Sequence, residues 1–321
     1  RKNTICFCTT RPFSRQSDLN MNKNPFSIYD FLGYLFPGLI FLITAFFVCH
    51  VTSVPLQEYF DFSKYQDLLK TGKEYDWWES TVFVIVASYV VGHIVAYLSS
   101  STVEYFTNHL FGYPSHYLLH EDSINYCNVF SRYFSEHTFG SIVWRIFVML
   151  VLLPVTLVMF VFGIKFSLIT FIVRPLDEYV RNSILQKLNK LSDILCLQQP
   201  DVNSNADYHR IVMHYVYLNI ESCQRKVDNY VAMYGFLRAM ALIACLLFDY
   251  LLIDQIQYSY HIVRALGIEK CVINRECIII LVVILIIANL LYMGFVKFYR
   301  RFTLENYMAL LTDKSMNVYQ S

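Results

Sequence analysis

The chain has 321 residues and a mass of 37.8 kDa; 56% of its residues are hydrophobic, 17% aromatic and 16% charged, and its mean hydropathy is +0.40. Soluble domains carry about 25% charged residues, so this composition excludes a disordered chain and argues against an ordinary soluble enzyme. A formal net charge of +1 gives no global attraction to a polyanion, so nucleic acid is not an expected partner.

Residues 1–20 are polar, contain four basic side chains and lack the apolar stretch of a secretory signal. They read as a disordered, artefactual extension ahead of Met21 that carries no function. Residues 21–99 form a first transmembrane hairpin. Its spans are Phe31 to Val51, with Thr44 and His50 as the polar members, and Thr81 to Ser99. The loop between them carries Glu58, Asp61, Asp67, Glu74, Asp76 and Glu79.

Residues 100–173 read as a cytoplasmic and interfacial segment. Within it, Ile142 to Val173 is apolar but too long for one crossing and too short for two. Pro154 and the Gly163–Lys165 region are its candidate bends, giving a re-entrant or interfacial helical hairpin, with a tight double crossing as the alternative. Residues 174–235 read as a cytoplasmic helix pair. Pro175, Asp177 and Glu178 mark a helix start, followed by apolar Ile184, Leu188, Leu191 and Leu195. Arg181, Lys187, Lys190 and Asp193 are expected on the other faces. A second run, Val212, Val216, Ile220, Cys223, Val227, Tyr230 and Tyr234, is expected to continue unbroken into the next span. That pair either transmits movement to the membrane or only caps the bundle. Residues 236–321 supply a second transmembrane hairpin, Phe236 to Ile253 and Ile278 to Val296, and a basic tail. The fold class is therefore all-α and polytopic, with four clear spans.

Lysine and arginine set the orientation. With an even number of crossings and a cytoplasmic N-terminus, 20 of these residues lie inside and 6 outside; an odd number gives at best 15 to 9. Both termini are thus expected in the cytoplasm.

Chemistry-bearing motifs are scarce. No phosphate-binding glycine loop, nucleophile elbow or paired CxxC is present, so no enzyme and no cofactor are expected. Of nine cysteines, Cys49 and Cys245 lie in apolar runs as core residues. Cys271 and Cys277 are spaced for a short bridge if their loop meets an oxidising compartment. His116 and His120 are four apart, near His109, Glu121 and Asp122, which makes a metal-dependent enzyme the third reading. The Pro114 turn and the missing second ligand pair favour ordinary polar histidines, as does the spacing of His209 and His214, so no metal is expected.

Polar residues within the spans are the stronger signal, because each costs free energy unless partnered. Tyr89, His93 and Tyr97 recur every four residues, and Arg238, Leu242, Cys245 and Asp249 align over three turns of another helix. These are pore-lining candidates for a path shared between subunits; the alternative is hydrogen bonding between packed helices. Ser88, Gly92 and Ala96 form a small-residue stripe for close packing, and Asn289 is expected to seek a cross-helix partner.

Asn24-Pro-Phe-Ser-Ile-Tyr-Asp-Phe-Leu-Gly-Tyr-Leu-Phe-Pro-Gly38, Gly112-Tyr-Pro114, Tyr234-Gly-Phe-Leu-Arg238 and Lys297-Phe-Tyr-Arg-Arg301 are similar to segments of a group of bacterial multi-pass membrane proteins. Some of these sit in anti-phage operons, and the chain resembles the Hailong channel effectors among them. The resemblance implies a homo-oligomeric inner-membrane channel in antiviral defence, opened by a nucleotide-derived signal from a soluble partner enzyme. Residues 99–236 hold 10 basic against 11 acidic side chains, so they provide no basic bed for such a ligand. Arg181, Lys187 and Lys190 are the one local ligand-sensing candidate, and a solvated helix face is the simpler account. The competing function is a non-catalytic anchor or scaffold that recruits a soluble partner to the bilayer.

Overall fold

A computed structural model describes residues 31–51, 77–119, 133–134, 139–166, 172–195, 208–266 and 275–314. The described residues are helical and contain no strand, and four helices are long and apolar enough to cross a membrane. The chain is an all-α polytopic membrane protein. The extension 1–20, His120, Glu121, Asp122 and Cys271 lie outside the described residues.

The first hairpin comprises α1 (Phe36–Val51), entered through a π-helical turn at Phe31–Leu35, and α2 (Trp77–Ser99). The small stripe of α2 lets the two backbones meet. A Cβ built on Gly92 would fall within the backbone of Tyr34, and one on Gly38 within that of Ser88. The helix of the second span does not stop at Ser99. It widens into a π segment, Ser100–Glu104, and continues as α3 (Tyr105–Phe111). Gly112 then ends it at φ +83°, a conformation that favours glycine, and α4 (Pro114–Leu119) follows.

The awkward apolar stretch is an elbow. α5 (Phe139–Val151) and α6 (Leu153–Phe166) meet at 90° across Leu152. The position follows from Pro154, which has no N–H to continue a helix but fits its first turn. The hydroxyl of Thr156 donates to the Met149 carbonyl (3.2 Å), an acceptor at the break. The arms stand at a right angle instead of folding back on one another, and Gly163 and Lys165 lie within the second arm.

α7 (Glu178–Ile194) and α8 (Tyr208–Asn219) follow the elbow, then α9 (Glu221–Leu266) and α10 (Arg275–Thr312). The last two run antiparallel in a fixed register: Leu237 faces Gly294, and Lys226 bonds Glu305 at 2.5 Å. At 46 and 38 residues, they are about 69 and 57 Å long, against about 30 Å of hydrocarbon. Both therefore project from the bilayer as a stalk, and α7 and α8 pack on it.

Two expectations are corrected here. The periodic run from Val212 is interrupted at Ile220, where α8 ends, and Gln224 Nε2 donates to the freed Tyr217 carbonyl (2.6 Å). α7 packs on α10, and α8 on both α9 and α10, instead of the two forming a self-contained pair. Asp313 joins them there, its carbonyl accepting from Lys187 Nζ (2.9 Å) and its carboxylate from the Tyr215 hydroxyl (2.7 Å). Beyond the Phe236 to Ile253 span, α9 continues as helix to Leu266.

A continuous core joins stalk, elbow and α3 through Phe106, Leu118, Leu152, Met159, Tyr292 and Phe295. The Tyr292 hydroxyl meets Thr107 Oγ1 at 2.9 Å in its middle.

Candidate functional site

The densest polar arrangement among the described residues lies where α2 widens. Ser99, Ser101 and Thr102 each turn a hydroxyl back to a carbonyl three or four residues earlier, at 2.8, 3.1 and 2.7 Å. Such back-bonding competes with the helical ladder and favours a wider turn. The widening brings Glu104 alongside α9, where its carboxylate pairs with Arg238 NH1 and accepts from Ser100 Oγ (3.2 Å). Arg238 Nε donates to Ser99 Oγ (3.1 Å) and NH2 to the Ala96 carbonyl (3.4 Å). The guanidinium is thus bound on three sides within the chain.

Arg238, expected among the pore-lining candidates, thus spends its hydrogen bonds between packed helices, as the alternative reading had it. Leu242 and Cys245, on the same stripe, are buried in the core of the chain. The stripe faces inward because α9 is packed against the π segment, the elbow and α10. Asp249 lies farther along α9, half-buried, with Oδ1 enclosed and lacking a hydrogen-bond partner among the described residues.

The other stripe faces outward. His93 and Tyr97 are exposed, Tyr97 by 72%. Tyr89 is half-buried and meets the His93 ring edge-on (4.6 Å), while Tyr34 stacks on the face of that ring (3.9 Å) and meets Tyr89 edge-on (6.3 Å). His93 is therefore held in orientation by two aromatic rings while exposed on the outside of the chain. On the adjacent face Ser88 and Gly92 are buried and Ala96 is half-buried. Asn289 Nδ2 donates to the Pro154 carbonyl (3.1 Å) and to its own helix at Leu285 (2.8 Å), so it ties the elbow to α10.

The cationic trio is dispersed. Arg181 lies one turn before Ile184 on the same buried face, which corrects its assignment to a solvated one, and Lys187 is engaged by Asp313. Lys190 is half-buried on a different face. His109 Nδ1 lies 2.9 Å from the Tyr105 carbonyl and stacks on that ring, whereas His116 lies on the next short helix, beyond the Gly112 turn. His209 packs between Phe302 and Tyr307, and His214 is exposed.

Sequence reasoning missed three participants. Glu104 lies outside the counted span, although the Ser-Ser-Ser-Thr run before it signals a disturbed helix. Tyr34 offers no such signal. Arg145, 1% exposed on α5, donates to the Tyr133 carbonyl, and its guanidinium lies 5.4 Å from the Tyr133 ring. Burial pushes the Tyr133 phenol well above its ordinary range. A lone arginine in an apolar run was the available sign.

No family model, characterised protein or solved structure matches the chain.

Proposed function

We propose that the protein is a homo-oligomeric pore-forming effector of a bacterial inner membrane, acting in anti-phage defence and gated by its extramembrane helices. In this reading both termini and the α7–α8 region are cytoplasmic. Subunits meet around the outward stripe of α2, so that Tyr89, His93 and Tyr97 line the shared path and Asp249 lies toward its far end. A soluble signal-producing partner supplies the trigger. The observation that carries the reading is α9: one uninterrupted helix contains both the surface on which α8 packs and the membrane span. A rearrangement of the extramembrane helices therefore has a direct route into the bilayer.

The test is ion flux from liposomes containing the full chain, with subunit cross-linking measured in parallel. Flux is expected when α7 and α8 of cross-linked oligomers are displaced by limited proteolysis, which stands in for the trigger. His93→Ala should change conductance while leaving oligomers intact. Cross-linked oligomers that never conduct, with α7 and α8 present or proteolysed, would sink the proposal.

The second reading is a membrane scaffold. Its support is that Arg238 and Asn289 spend their hydrogen bonds inside the protomer, as packing residues do. Replacing α1 and α2 with unrelated apolar helices should preserve partner recruitment by a scaffold and abolish conduction by a pore.

A further inference from the structure

Where α10 leaves the apolar span, its charge is unbalanced. Lys297, Arg300 and Arg301 follow the apolar run Ile278 to Val296 directly. Their spacing of three and four places them on one side of the helix. Lys297 and Arg301 are exposed, and neither makes a hydrogen bond or ion pair with the described residues. Arg300 is half-buried; NH2 donates to the Arg174 carbonyl (3.2 Å), whereas Nε is enclosed and has no partner among the described residues. Two acidic residues near the group are engaged elsewhere. Glu305, one turn beyond Arg301, bonds Lys226, and Glu104 bonds Arg238.

The apolar surface leading to this group is equally one-sided. Val283, Ile286 and Leu290 are each about half exposed, and they lie on the helical stripe that continues to Lys297 and Arg301. Acyl chains lying along that stripe end at the cations. The register of the stalk sets the depth: Gly294 faces Leu237, so Lys297 is one turn past the start of the opposing span. Lipid phosphates lie at such a boundary.

We propose that Lys297, Arg300 and Arg301 bind the phosphate of an anionic phospholipid whose acyl chains occupy the Val283–Ile286–Leu290 stripe. The inference rests on the membrane architecture and is independent of conduction. Charge and stripe act together: the cations select an anionic headgroup, and the stripe selects a lipid over a soluble phosphate.

The test uses the full chain in detergent micelles, titrated with fluorescent phosphatidylglycerol against three competitors. Unlabelled phosphatidylglycerol should compete about 25-fold better than phosphatidylcholine, and removing either exposed cation should lower that preference about fivefold. Inorganic phosphate should not compete. The double variant Lys297→Gln/Arg301→Gln, which leaves the half-buried Arg300 in place, should lose the preference while its helical circular dichroism is unchanged. A salt titration of the unaltered protein needs no variant, and high salt should erase the preference. Equal competition by both lipids, competition by inorganic phosphate, or a preference indifferent to salt or retained by the folded double variant would each overturn the proposal.

Discussion

The two membrane hairpins pack apolar helices in different ways. α1 and α2 approach by omitting side chains: Gly38 and Gly92 place backbone against backbone, and Ser88 is buried between them. α9 and α10 approach by interlocking large ones, with Tyr234 against Tyr299 and Phe302 (5.4 and 5.6 Å between centroids). Within lipid no hydrophobic gain drives helices together, so the first hairpin depends on close backbone contact. The second extends beyond the bilayer and has a core of aromatic and aliphatic side chains to hold it. One hairpin is therefore sensitive to added atoms and the other to removed ones.

The sharpest way to break this contrast is Gly92→Ala. The new methyl has only the Tyr34 backbone to displace, and the expected loss is about 3 kcal/mol, read as a fall in thermal stability or in folded yield in detergent. Next is Arg238→Ala, which strands Glu104 beside the widened turn and should cost on the order of 2 kcal/mol. Adding Glu104→Gln should restore part of that, and a double-mutant cycle measures how much. Asn289→Leu removes the tie between elbow and α10 and should cost about 1 kcal/mol, with faster proteolysis at the elbow as a second readout. The smallest change is expected from Gly294→Ala. Its Cβ would meet a flexible Leu237 methyl at 3.2 Å, and stability should shift by about 0.5 kcal/mol or less. Similar losses for Gly92→Ala and Gly294→Ala would refute the distinction between the hairpins.

What the sequence disclosed follows physical range. Span number, the Ser88–Gly92–Ala96 stripe and the bend beside Pro154 depend on composition and short spacing, and all are legible along the chain. The face of Arg181 was legible too, since a residue three before Ile184 shares its side of a helix. The Arg238–Glu104 pair was not, because 134 positions separate its members and only the fold brings them together. The same limit hid the packing of α7 and α8 on α10. Periodicity shows that a face is apolar but does not identify what covers it.

The unbroken course of α9 from Glu221 to Leu266 has a mechanical consequence. A strut about 69 Å long magnifies small rotations: tilting one end by about 5° sweeps the other sideways by about 6 Å. That is roughly twice a hydrogen-bond length, enough to make or lose a contact with a neighbouring molecule. A nudge of modest size at one tip thus arrives at the opposite tip as a stroke on the scale of a side chain.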